Sequence, residues 1–245
     1  MRQFGLIGYP LAQSFSQKFF TEKFEKENLT DCRYDTFSIP AIDDLANILK
    51  TNPELSGLNV TIPYKEQVLS FLDEKSPLVK KIKACNCIKI KNGKLTGHNT
   101  DAPAFERSLK EKLQPHHTKA LILGTGGAAK AVEYSLKQLN ISYKYVSRKP
   151  SAKSFSYEQL TDTLMQEYTL VINTTPLGMH PNIVEAPQIP YEALTPKHYL
   201  FDVVYNPSKT LFLQKGEKQG AAIKNGHEML VLQAEESWRI WNDQQ

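Results

Sequence analysis

Short runs of apolar residues alternate along the chain with longer stretches whose apolar positions recur every three or four residues. The first pattern fits buried strands and the second amphipathic helices. Their alternation marks βαβ units around a largely parallel sheet. Residues 4–7, 34–39 and 58–62 read as strands, and 15–24, 42–49 and 64–72 as helices, the first carrying Phe19, Phe20 and Phe24 on one side. Residues 87–90 and 94–96 flank Asn92-Gly93, a strong hairpin signal, and read as an antiparallel pair.

The pattern restarts near Ala120, with a strand at 120–123, a glycine-rich turn, a helix at 128–139 and a strand at 143–147. Residues 170–173 and 199–204 supply further buried strands. Residues 229–241 form a last amphipathic helix, in which Trp238 and Trp241 are spaced for core packing. Between the halves, a helical stretch at 102–113 runs into Gln114-Pro115-His116-His117, a polar break suited to a domain boundary. The fold class is therefore α/β, in two units.

Composition narrows the function. A chain of 245 residues, 40% apolar and 23% charged, fits a globular protein of one or two domains and excludes long disorder. The excess of 30 basic over 26 acidic residues is dispersed, so it reads as solvated surface plus a site for an anionic ligand, with no nucleic-acid or membrane partner. Three cysteines cannot all pair, and Cys85-x-Cys87 is one residue short of C-x-x-C, which points to free thiols in a reducing compartment. No signal-peptide run and no apolar stretch approaching ~20 residues is found, so a cytoplasmic protein is expected. His98, His116, His117, His180, His198 and His227 lack metal-ligand spacing; no metal is expected, and His116-His117 reads as solvated.

Gly124-Thr125-Gly126-Gly127-Ala128-Ala129 follows an apolar strand and opens a helix. In that context the first glycine permits a tight turn and the second admits a pyrophosphate, while the helix N-terminus offers free N–H groups. The next strand ends in Ser147-Arg148-Lys149 rather than in a carboxylate. An acidic residue there would bind a free ribose 2′-hydroxyl; two cations instead suit a 2′-phosphate, so NADP(H) is the expected cofactor.

Polar clusters lie at strand ends in the first half: Ser14 and Ser16; Asn59, Thr61 and Lys65; Asn86; and Asn99-Thr100-Asp101. Hydroxyls and carboxamides suit a polyhydroxylated substrate, and a Lys with an Asp can move a proton. Together with the order Gly8-Tyr9-Pro10, Asn59-Val60-Thr61-Ile62-Pro63-Tyr64-Lys65, Ala84-Cys85-Asn86, Gly97-His98-Asn99-Thr100-Asp101, the glycine loop, Asn173-Thr174-Thr175-Pro176-Leu177-Gly178-Met179, Asp202-Val203-Val204-Tyr205-Asn206-Pro207, Asn225-Gly226, Met229-Leu230 and Gln233-Ala234, the chain resembles the shikimate dehydrogenase family nearly end to end.

That resemblance implies a substrate domain of residues 1–101 and 226–245 and a Rossmann-like NADP-binding domain of residues 102–225. It implies NADPH-dependent reduction of 3-dehydroshikimate to shikimate on the route to aromatic amino acids, by a monomer or homodimer. Lys65 and Asp101 fall on the family's catalytic pair. Ser14, Ser16, Thr61, Asn86, Tyr205 and Gln233 fall on substrate positions. Gly124, Thr125, Gly126, Gly127, Ala128, Ser147, Arg148, Lys149, Val203 and Gly226 fall on cofactor positions. A lysine is cationic at neutral pH, and a nearby carboxylate favours that form, so the pair suits proton donation in the ketone-reducing direction. The chain departs from the family at Gln13 and Gln17, where His and Pro are usual, at Ser147, where Asn is usual, and at Pro77, which aligns with an often acidic position.

Overall fold

The computed structural model describes residues 1–11, 14–149 and 154–243, so Gln13 lies outside the described residues. The chain divides into two compact units, Met1–Thr100 with Val231–Gln245, and Asp101–Leu230. Helix 102–113 and the Gln114–His117 break thus fall inside the second unit.

In the first unit, strands β1 (Arg2–Gly8), β2 (Cys32–Ser38), β3 (Leu55–Val60), β4 (Glu74–Lys75), β5 (Cys87–Lys91) and β6 (Lys94–His98) form one sheet ordered β2-β1-β3-β5-β6-β4. β1 runs parallel to β2 and β3, while β5 is antiparallel to both β3 and β6. Asn92 and Gly93, at φ 53° and 73°, make the two-residue turn that the sequence signals. Helices α1 (Phe15–Lys26), α2 (Leu45–Thr51) and α3 (Pro77–Ile82) connect the strands. Alternation along β1 sends Phe4 and Leu6 into a core with Phe20, Phe24, Trp238 and Trp241, and Ile7 into a second core with Leu58, Val60, Val68 and Ile88.

The strand expected at 58–62 stops at Val60, and the helix expected at 64–72 is only a 3-10 turn over Gln67–Phe71. The cause is competition for a carbonyl. An α-helix would need the Lys65 carbonyl to accept from Leu69; it accepts instead from the Cys85 N–H at 2.7 Å, and the Leu69 N–H turns to Glu66 at 3.2 Å. The Tyr64 hydroxyl donates to the Ile39 carbonyl at 2.5 Å and pins the same segment.

The second unit opens with α4 (Asp101–Lys110) and builds a sheet from β7 (Lys119–Leu123), β8 (Ser142–Val146), β9 (Ser154–Phe155), β10 (Leu170–Asn173), β11 (Tyr199–Asp202) and β12 (Ala222–Lys224). All neighbours are parallel, in the order β12-β11-β10-β7-β8-β9. Counted from β7, this is the 3-2-1-4-5-6 order of the dinucleotide-binding fold, with its switch point between β7 and β10. Helices α5 (Gly127–Gln138), α6 (Asp162–Glu167) and α7 (Leu211–Lys218) make the crossovers, and α8 (His227–Trp241) passes from this unit into the first. His117 is not solvated as expected: it is buried, its Nδ1 accepts from the Gln114 N–H at 2.9 Å, and Nε2 meets the Lys197 carbonyl at 3.1 Å. Among the described residues no helix is long and apolar enough to cross a membrane.

Candidate active site

Strand register gathers Thr61, Asn86 and Asn99-Thr100 at one end of the first unit's sheet. β3 ends beside the start of β5, where Asn59 pairs Cys87, and Cys87 pairs His98 at the end of β6. Thr61, Asn86 and Asn99-Thr100 therefore lie just beyond the last rungs of neighbouring strands. The Thr61 N–H donates to the Ile7 carbonyl at 3.0 Å, and the Asn86 N–H to the His98 carbonyl at 3.2 Å. Gly8, at the end of β1, is held to glycine by this crowding, since a Cβ there would stand 2.5 Å from Thr61 Cγ2.

Ser14 caps α1, its Oγ accepting from the Gln17 N–H at 3.2 Å, and Ser16 follows in the first turn; both are half-buried. Asn86 is fully buried. Its Oδ1 accepts from the Thr100 N–H at 2.7 Å, and its Nδ2 donates to Thr100 Oγ1 at 2.8 Å and to Gln233 Oε1 at 3.4 Å. The structure thus brings Asn86 and Gln233 together across 147 residues of sequence. Lys65 is half-buried in the turn after β3. Asp101 is buried and is the first residue of α4.

In the second unit the glycine loop joins β7 to α5. Gly124 takes φ +102°, and a Cβ there would meet Thr174 Oγ1 at 2.8 Å, so both conformation and space require glycine. Gly126, the N-cap of α5, has nothing within 4 Å of the corresponding position and leaves its backbone open to close approach. Gly127 and Ala128 form the first turn of α5. Beside the loop, a depression of about 680 Å³ is lined by Thr125, Tyr145, Ser147, Arg148, Lys149 and Ser154. Among the described residues two cations and four hydroxyl-bearing side chains line it, and no carboxylate does. Ser147 Oγ accepts from the Lys149 N–H at 3.3 Å and so shapes the turn that carries both cations. These residues fit the pyrophosphate and 2′-phosphate of NADP.

Val203 and Gly226 meet each other: a Cβ on Gly226 would fall 2.2 Å from the Val203 carbonyl oxygen. Tyr205 lies half-buried beyond β11 in this same unit. Its segment is anchored by Asp202, a buried carboxyl that accepts from Thr210 at 2.5 Å, Asn173 at 3.0 Å and the Val204 N–H at 3.0 Å. Burial pushes Asp202 up to about 7 against the pull of those donors. Asn173 also holds the loop after β10, its Oδ1 accepting from the Thr175 N–H and hydroxyl at 3.0 and 2.6 Å.

Two pocket residues carry no motif. Tyr145 could have been found from strand alternation, which puts it on the face of Ser147; its hydroxyl donates to Glu133 Oε2 at 2.6 Å. Ser154 reaches the pocket from β9 and has no local signal. Among the described residues no group of His, Cys, Asp or Glu gathers as a metal site.

A family model described as the shikimate dehydrogenase substrate binding domain matches residues 6–88. A shikimate dehydrogenase (NADP(+)) from Caldicellulosiruptor bescii is 35% identical over 99% of this chain and 90% of its own. Among solved structures, a chorismate mutase/shikimate 5-dehydrogenase fusion protein from Clostridium acetobutylicum is 36% identical with a TM-score of 0.88, covering 99% of this chain and 91% of that one. The Thermus thermophilus shikimate 5-dehydrogenase, solved with NADP(H) and shikimate, is 29% identical with a TM-score of 0.84 over 99% of this chain and 94% of its own. Likeness of this extent, over a sheet order and glycine loop already fitted to a dinucleotide, settles the relationship: the chain belongs to the shikimate dehydrogenase family.

Proposed function

We propose that this protein is a shikimate dehydrogenase that reduces 3-dehydroshikimate to shikimate with NADPH, reversibly, in aromatic amino acid biosynthesis. The observation that carries the reading is the near-complete match to NADP-dependent shikimate dehydrogenases in a chain whose Arg148–Lys149 pocket has no carboxylate among the described residues that line it. The nicotinamide, when bound, supplies the hydride for C3 of the substrate. Lys65 donates the proton to the C3 oxygen, so that one hydride and one proton convert the ketone to the alcohol. Asp101 orients Lys65 and the substrate. Ser14 and Ser16 bind the carboxylate; Thr61, Asn86, Gln233 and Tyr205 bind the rest of the ring substituents. The glycine loop takes the pyrophosphate, Ser147, Arg148 and Lys149 the 2′-phosphate side, and Val203 and Gly226 also contact the cofactor.

Free, largely buried thiols fit a cytoplasmic setting, and the reading carries a monomer or homodimer acting on small molecules alone. Absorbance at 340 nm with shikimate and NADP tests the function directly. Turnover with shikimate well above that with quinate is expected; faster turnover of quinate, or NADP binding without turnover of either, would refute it.

A further inference from the structure

Asn59 sits in β3 among the polar strand-end residues, yet its side chain is 3% exposed and is bonded within the first unit. Its Oδ1 accepts from the Tyr34 hydroxyl at 2.8 Å, which fixes the orientation of the amide. Its Nδ2 donates to Ser237 Oγ at 2.9 Å and to the Asn86 carbonyl at 3.3 Å. The Ser237 hydroxyl donates to the Gln233 carbonyl at 2.9 Å, and its oxygen lies 3.5 Å from Thr100 Oγ1, which holds Asn86. One carboxamide therefore reaches the backbone of Asn86 directly and that of Gln233 through a single hydroxyl.

Holding α8 to the sheet does not require this arrangement. Phe4, Phe20, Phe24, Trp238 and Trp241 already bury that helix against β1 and α1 in one apolar cluster. Apolar contact is non-directional, however, and does not fix the rotation of a helix or which end of an amide faces which way. Buried hydrogen bonds are directional, and they are costly to leave unmade. Here they set Asn86 Nδ2 against Gln233 Oε1 at 3.4 Å, a donor facing an acceptor. A substrate hydroxyl entering there would accept from the first and donate to the second.

We propose that Asn59 is a positioning residue for substrate recognition, acting through Ser237 and the Asn86 backbone to orient the two carboxamides that read a substrate hydroxyl. The inference rests on the assignment of Asn86 and Gln233 to the substrate. The test uses the full-length enzyme, steady-state kinetics with shikimate and NADP, and the variants Q233A, S237A, S237C and Q233A/S237A. Ser237→Ala removes the acceptor of Asn59 while keeping a good helix former. It should raise the KM for shikimate about tenfold, the scale of one lost hydrogen bond, with the KM for NADP unchanged. S237C, which keeps a weaker acceptor, should fall between. The double variant should have the shikimate KM of Q233A alone, because residues acting through one another are not additive. A lowered melting temperature with unchanged KM in S237A, or effects that multiply in the double variant, would overturn the positioning role. An unchanged KM in Q233A would instead overturn the substrate assignment, and the proposal with it.

Discussion

Replacing Arg148 by Ala isolates the cofactor reading, because NADPH and NADH differ only in the 2′-phosphate. Arg148 and Lys149 are both exposed, in a pocket that Thr125, Tyr145, Ser147 and Ser154 also line among the described residues. A hydrogen bond to a charged group contributes about 1.5–3 kcal/mol, and exposure places this one toward the lower end. About 2 kcal/mol is roughly a thirtyfold rise in the KM for NADPH. Lys149 and the hydroxyls remain, so the loss should stop there. The KM for NADH should move less than threefold, and Arg148→Lys should lie between, since it keeps the charge but loses the planar fork. Raising salt should narrow the gap between wild type and Arg148→Ala, because an exposed ion pair is screened over roughly 8 Å at physiological ionic strength. Initial rates at 340 nm with both nucleotides measure all of this. Equal losses with NADPH and NADH, or a gap indifferent to salt, would show that Arg148 does not meet the 2′-phosphate.

Three further outcomes are expected. Lys65→Ala should lower kcat by about 10²–10⁴, the usual contribution of a general acid, with the KM for NADPH nearly unchanged; a near-normal kcat would remove Lys65 from the chemistry. Gly57→Ala should lower the thermal midpoint of the first unit by roughly 6–12 °C, because its Cβ would lie 2.3 Å from Trp241 Nε1 on a ring stacked against Phe4 and donating to the Ile88 carbonyl; an unchanged midpoint would mean that the ring is free to move. Burial lowers both His98 and His117, with Lys89 and His116 respectively adding repulsion, so below about 6.5 the unfolded chain binds more protons than the folded one. That part of the stability is complete above about 6.5 and is lost as pH falls. Urea titrations should show His117→Asn, which can keep an acceptor toward Gln114, losing less between pH 7 and 5 than wild type does; identical slopes would rule out His117.

The second unit was legible because its information is local. An apolar strand, Gly124 in a conformation only glycine takes readily, and the Arg148–Lys149 turn each declare themselves within a few residues. The hairpin at Asn92-Gly93 was read for the same reason. The segment after Thr61 was misread because the deciding bond, from the Cys85 N–H to the Lys65 carbonyl, comes from 20 residues away and periodicity does not contain it. His117 failed likewise: a polar neighbourhood in sequence conceals the Lys197 carbonyl that receives it in space. Asn59 was legible as a polar strand-end residue but not as a buried one, since its partners Tyr34, Asn86 and Ser237 come from three distant stretches.

The two units place their polar groups differently, and the ligands proposed for each would explain why. A phosphate is recognised largely by charge, which acts over several ångströms and is weakly directional, so cations on an exposed turn suffice, with a serine to shape the turn. A ring hydroxyl is neutral, and distinguishing it from a ketone or an ether requires a donor and an acceptor held at fixed angles. That demands amides whose remaining bonds are all committed, as in Asn86 between Thr100 and Gln233. Leaving such groups buried and unpaired is costly, and Asn59 and Asn86 come with a supporting tier of Tyr34, Thr100 and Ser237. Changes on the cofactor side should therefore be graded and salt-sensitive, and those on the substrate side steep and coupled to one another.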